Sequence, residues 1–117
     1  MLSKEFADNF AKEWIDAWNS HDLDRILAHY SDDFVMSSPL IAQVANKLSG
    51  TLQGKQAIRA YWRRALERAP KLRFELLTTL LGANSVVLYY RGVCGVSAEV
   101  FFFDASGKVV EAAAHYT

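Results

Sequence analysis

The sequence predicts an α+β fold in which helices cover one face of a mostly antiparallel sheet. Two patterns predict it. Up to Ala69, apolar residues recur mainly at three- and four-residue spacing. After Pro70, runs rich in β-branched and aromatic residues are separated by short turns. Helices followed by a meander is an α+β layout, because the apolar helix faces have only the sheet to cover. At 117 residues, 51% of them hydrophobic, the chain suits one domain over residues 1–117 with a full core.

The first helix is expected from Lys4 to Asn19, with Ser3 as its N-cap. Phe6, Phe10, Trp14, Ala17 and Trp18 share its apolar face. Asp22 caps a shorter helix that turns Leu23, Ile26, Leu27 and Tyr30 inward. Ser31-Asp32-Asp33 reads as a turn, and Phe34 to Ser38 as a short strand ending at Pro39. Leu40 to Leu52 reads as a loop with a helical turn around Ile41 to Asn46, placed where it could cover a site. A third helix runs from Lys55 to about Ala69 and stops at Pro70. It buries Ile58, Tyr61, Trp62 and Leu66, while Arg59, Arg63, Arg64, Glu67 and Arg68 form a solvated face.

Four strands follow: Leu72–Leu81, Val86–Arg91, Val96–Phe103 and Lys108–Tyr116. The short turns between them make neighbours antiparallel. Alternation puts Ser97, Glu99, Phe101 and Phe103 on one face, with Ala98, Val100 and Phe102 on the other. In the last strand it groups Val110, Ala112, Ala114 and Tyr116 against Val109, Glu111, Ala113 and His115. Neither face is strongly polar, so a second cover is expected: a homodimer formed through the sheet.

Charge and cysteine content narrow the function classes. Thirteen basic and thirteen acidic residues cancel, which argues against a nucleic-acid footprint. Cys94 is the only cysteine, so no intrachain disulfide forms and a reducing, cytoplasmic setting is expected. The charged, amphipathic N-terminus reads neither as a signal peptide nor as a membrane span. His21, His29 and His115 fit no metal-ligand spacing, so no metal is expected.

Glu99 stands out. It is a lone carboxylate within Val96 to Phe103, a run that otherwise reads as a buried strand. Burial on a sheet face raises a carboxyl pKa and suits it to proton transfer. It could equally order the interior through a hydrogen bond to Trp14, a tyrosine or buried water.

The order of elements resembles the nuclear-transport-factor-2-like superfamily, and within it the small bacterial SnoaL-like proteins. The resemblance is carried by Ala17-Trp18-Asn19-Ser20-His21-Asp22-Leu23, Tyr30-Ser31-Asp32-Asp33-Phe34, Gly54-Lys55-Gln56-Ala57-Ile58-Arg59-Ala60-Tyr61-Trp62 and Phe103-Asp104-Ala105-Ser106-Gly107-Lys108-Val109-Val110. It implies a cone-shaped α+β barrel: a curved sheet around three helices, with a deep cavity. The family includes isomerases, dehydratases, cyclases and epoxide hydrolases, so fold alone does not give the reaction. The resemblance to ketosteroid isomerase, where a neutral carboxylic acid donates a hydrogen bond, puts that acid at Glu99. Its general-base position falls on Ser38 and its oxyanion tyrosine on Trp14. Tyr30 is retained, Trp62 takes the third tyrosine position, and Tyr116 is the last pocket aromatic. Two of the three key groups are therefore replaced, which removes ketosteroid isomerase chemistry.

Two functions remain. One is a cofactor-independent isomerase, dehydratase or cyclase acting on a mostly apolar small molecule, with Glu99 as acid/base, Trp14 and Tyr116 as orienting donors and Ser38 as helper. The other is a binding or dimeric interaction module that uses the same pocket without chemistry.

Overall fold

The computed structural model describes all 117 residues and contains four helices and one six-stranded sheet. Helix α1 spans Lys4–Asn19, with the Ser3 hydroxyl accepting the Phe6 N–H. Helix α2 is Leu23–Leu27, capped by Asp22, which accepts from the Arg25 N–H. Strand β1 is Tyr30–Ser37, α3 is Pro39–Val44, β2 is Thr51–Gln53 and α4 is Lys55–Arg68. Strands β3 (Glu75–Leu81), β4 (Ser85–Gly92), β5 (Gly95–Phe103) and β6 (Val109–Tyr116) complete the chain.

The sheet order is β2-β1-β6-β5-β4-β3. All pairs are antiparallel except β1 with β6, which run parallel. This is the α+β cone implied by the resemblance, with one correction. The sheet is not closed into a barrel, because β2 and β3 remain its edges.

Four local expectations are corrected. Tyr30 does not end the second helix: it opens β1, where it pairs with Val109. The expected turn at Ser31-Asp32-Asp33 is a register irregularity inside β1, between the pairs Tyr30–Val109 and Val35–Glu111. Residues 40–52 hold the expected helical turn, as part of α3, but it ends at Val44; a left-handed Asn46 with φ 56° follows, and the segment runs into strand β2, which the sequence pattern does not predict. Strand β3 begins at Glu75 and not at Leu72, because α1 holds the preceding segment. The Asn19 side chain donates to the Phe74 carbonyl (3.0 Å) and accepts the Phe74 N–H (2.6 Å). His21 Nε2 lies 2.8 Å from the Leu72 carbonyl. These contacts fix Leu72 and Phe74 at the end of α1 without ladder pairing.

The core lies between the helices and the inner sheet face. Phe10, Trp14 and Trp18 of α1 and Ile58 and Trp62 of α4 meet Leu88, Tyr90 and Phe101 of the sheet. Aromatic rings make mostly edge or tilted contacts, such as Trp14 with Tyr90 at 5.3 Å and Trp18 with Trp62 at 5.1 Å between centroids. Such pairs add about 0.5–1.5 kcal/mol beyond simple area burial.

Alternation in β5 holds: Ser97, Glu99, Phe101 and Phe103 are buried, while Phe102 is exposed. In β6 it fails at one end. Val109 is buried and Val110 exposed, the reverse of the expected grouping. The cause is a bulge: Phe102 pairs with Glu111 but Phe103 with Val109, leaving Val110 as the extra residue. The outer face carries the part-exposed Leu80, Tyr89, Phe102 and Val110. No helix of the chain is long and apolar enough to cross a membrane.

Candidate functional site

Between α1, α4 and the inner sheet face lies a cavity of about 340 Å³. That is near the lower end of the range of about 300–1,000 Å³ typical of small-molecule sites. Its walls are Trp14 and Trp18 from α1, Tyr61 and Trp62 from α4, Phe74, and Tyr90 from β4. Ser97 and Glu99 of β5 and Tyr116 of β6 complete the inner wall. Leu40 and Val44 of α3, Arg68 and the β4–β5 hairpin with Cys94 also line it.

Sheet register explains why the polar groups gather. The two-residue turn Val93-Cys94 sets Gly92 opposite Gly95, and Gly95 restarts the strand at φ 89°. Counting back along the ladder, Tyr90 opposes Ser97 and Leu88 opposes Glu99. On the other side, Tyr116 opposes Ser97 and Ala114 opposes Glu99. Tyr90, Ser97, Glu99 and Tyr116 thus share one face.

Glu99 is 3% exposed, and its Oε1 accepts a hydrogen bond from the Tyr90 hydroxyl at 3.1 Å. Oε2 has no protein partner and is not sealed from the cavity. No cation pairs with it. Burial therefore dominates and pushes the carboxyl up to about 7, with the Tyr90 hydrogen bond holding it down. Burial and the nearby Glu99 push the Tyr90 and Tyr116 hydroxyls well above the usual phenol range. Both remain protonated donors at neutral pH.

Of the six residues singled out from sequence, Trp14, Ser38, Trp62, Glu99 and Tyr116 line the cavity. Tyr30 does not. It is 1% exposed and packs against Phe34 and Trp62, and its hydroxyl accepts the Trp14 indole N–H at 2.9 Å. That bond also corrects the expected donor role of Trp14, whose only N–H is already used. Trp14 offers a ligand its ring. Ser38 caps α3: its Oγ accepts the Leu40 N–H at 3.1 Å, and its hydroxyl lies beside Tyr116. His115 is exposed on the opposite side of β6 from Tyr116.

Sequence reasoning missed Tyr90, the hydrogen-bond donor to Glu99. The hairpin count could have found it, since a two-residue turn after Gly92 already implies the pairs Tyr90–Ser97 and Leu88–Glu99. It also missed Phe74, which lies outside any regular element and left no periodic signal. No group of three or more His, Cys, Asp or Glu side chains comes together to hold a metal.

A helix-covered open sheet enclosing an aromatic cavity with one buried acid is an α+β fold of the cone type. The chain belongs to the SnoaL-like domain family, whose model matches residues 11–117. It is 52% identical to a SnoaL-like protein of unknown function from Burkholderia thailandensis, over 98% of this chain and 97% of that one, with a TM-score of 0.96. It is 22% identical to a cystatin-like-fold protein from Methylobium petroleophilum, over 99% of this chain and 78% of that one, with a TM-score of 0.78. A SnoaL-like-family protein from Agrobacterium tumefaciens, provisionally described as an isomerase, is 19% identical over 94% of this chain and 96% of that one, with a TM-score of 0.74. The last two share the fold alone. No curated protein matches the chain.

Proposed function

We propose that this protein is a cofactor-independent isomerase, dehydratase or cyclase acting on a mostly apolar small molecule, with Glu99 as the proton-transfer group. One observation carries the reading. Glu99 sits in the wall of an aromatic cavity with Oε1 held by Tyr90, Oε2 free toward the void and its pKa raised to about 7. A carboxyl near neutrality populates both protonation states at working pH, the best compromise for taking a proton and returning it. Tyr90 holds one carboxyl oxygen, which leaves Oε2 to exchange a proton with a substrate. The Trp14, Trp18 and Trp62 rings give the transferred proton apolar surroundings. Tyr116 serves as the protonated donor that orients a substrate oxygen.

The test is solvent deuterium uptake. A metabolite extract is incubated with protein in heavy water and analysed by mass spectrometry. The proposal expects a compound that gains deuterium or changes mass with the wild-type protein and not with Glu99→Gln. A second reading, a binding module, is favoured by one observation. The Trp14 N–H, the expected orienting donor, is used in a structural hydrogen bond, and the Ser38 oxygen accepts one from Leu40. Saturable binding with full recovery of unlabelled ligand would select it.

We further propose that two copies pair through the outer sheet face, where Leu80, Tyr89, Phe102 and Val110 are left uncovered. The inner face, with Glu99, stays within each protomer.

A further inference from the structure

The net charge of zero hides an uneven distribution. Residues 63–73 contain Arg63, Arg64, Arg68, Lys71 and Arg73 against Glu67 alone. All six are exposed, and none of the five cations belongs to any ion pair of the chain. The other basic side chains of the helical half are largely paired: Arg25 with Glu13, Lys55 with Asp32, and Arg59 with Asp24.

One member of this unpaired cluster, Arg68, borders the cavity, and Lys71 and Arg73 line the depression beside it. Arg68, the last residue of α4, is the only charged lining residue besides Glu99. Lys71 lines a shallow depression that shares Ala69, Leu72 and Val93 with the cavity wall. Arg64 is close enough to Tyr61, another wall residue, to draw its hydroxyl pKa down against burial. The site is therefore polarised along its depth. It has one free cation, Arg68, on its border, aromatic walls, and one acid within.

We propose that the ligand is an amphipathic monoanion: a flat, apolar body in the aromatic cavity, with an anionic head held at the rim by Arg68 and assisted by Lys71. This rests on the small-molecule reading given above and adds a ligand class to it. A guanidinium matches a carboxylate or sulfonate in a two-pronged geometry. Anchoring the head at the rim fixes which end of the body reaches Glu99, so the charge sets orientation as well as affinity. The same rim disfavours cationic ligands, although the buried acid alone would attract them.

The test uses naphthoate, its uncharged methyl ester and naphthalene sulfonate, with binding followed by calorimetry. Cys94 supplies an independent readout. It is the sole thiol, it is exposed, and it lies on the cavity lining, so an occupied pocket slows its reaction with an uncharged maleimide. Naphthoate is expected to bind about fivefold more tightly than its ester, with the preference falling as salt rises. Arg68→Gln should remove most of that preference by weakening naphthoate more than the ester, and Arg68→Lys should retain more of it. Sulfonate matching naphthoate supports a general anion site, and sulfonate binding like the ester supports a carboxylate site. Ester binding as tightly as naphthoate, or Arg68→Gln weakening both alike, overturns the head-group proposal and leaves the pocket reading intact. If none of the three binds or protects Cys94, both readings fall.

Discussion

Replacing Glu99 with Gln should make the protein more stable above neutral pH and leave it nearly unchanged in acid. The carboxyl is pushed from 4.5 up to about 7 because burial penalises its charged form. A raised acid pKa means that the folded chain binds the proton more tightly than the unfolded chain. Stability from this group is therefore fully present below about pH 4.5, falls as pH rises, and levels off above about pH 7. A difference of roughly 2.5 pH units, at about 1.36 kcal/mol each, corresponds to a loss of about 3 kcal/mol. Gln is the same shape, accepts from Tyr90 through its carbonyl, and never ionises. The assay is urea unfolding of both proteins across this range. Subtracting the two curves cancels the other titrating groups, including His29, whose pKa burial lowers. The wild-type curve should fall relative to the variant by up to about 3 kcal/mol between the two pKa values. Parallel curves would refute the buried, unpaired carboxyl, and with it the proton-transfer reading.

Three further outcomes are expected. Tyr90→Phe removes the one hydrogen bond that favours charged Glu99, so the carboxyl pKa should move up by roughly one to two pH units, read by carboxyl-carbon NMR. Tyr30→Phe leaves the Trp14 N–H buried without its acceptor, costing about 1–3 kcal/mol in urea unfolding. Naphthoate affinity should hardly change, because Tyr30 is absent from the cavity wall. Val100→Lys places a charge at the centre of the outer sheet face and should shift light-scattering mass from dimer to monomer; an unchanged mass would count against pairing through that face.

Local chemistry accounts for what was legible. The spacing of Phe10, Trp14, Ala17 and Trp18 identified α1 and its buried side, because a helix repeats every 3.6 residues whatever surrounds it. Turn residues located the β3–β4, β4–β5 and β5–β6 connections, and alternation put Glu99 on the same face as Ser97 and Phe101, the face that is buried. Features set by distant residues were not legible. Strand β1 reaches back to Tyr30 because β6 is there to pair with it in parallel. The approach to β3 stays out of the ladder because Asn19 and His21 hold Phe74 and Leu72. The bulge at Val110 reverses the facing of Val109 without any glycine to mark it.

The order of amino acids by itself determined the α+β class, the two long helices, the turn positions of the strand half and a lone acid in an otherwise apolar strand, since each follows from residues close in the chain. The tertiary structure alone decided that Tyr30 takes the Trp14 N–H, that Tyr90 takes one oxygen of Glu99, and that Arg68 borders the same void. Those pairings join residues from separate elements, and their geometry exists only once helices and sheet have packed.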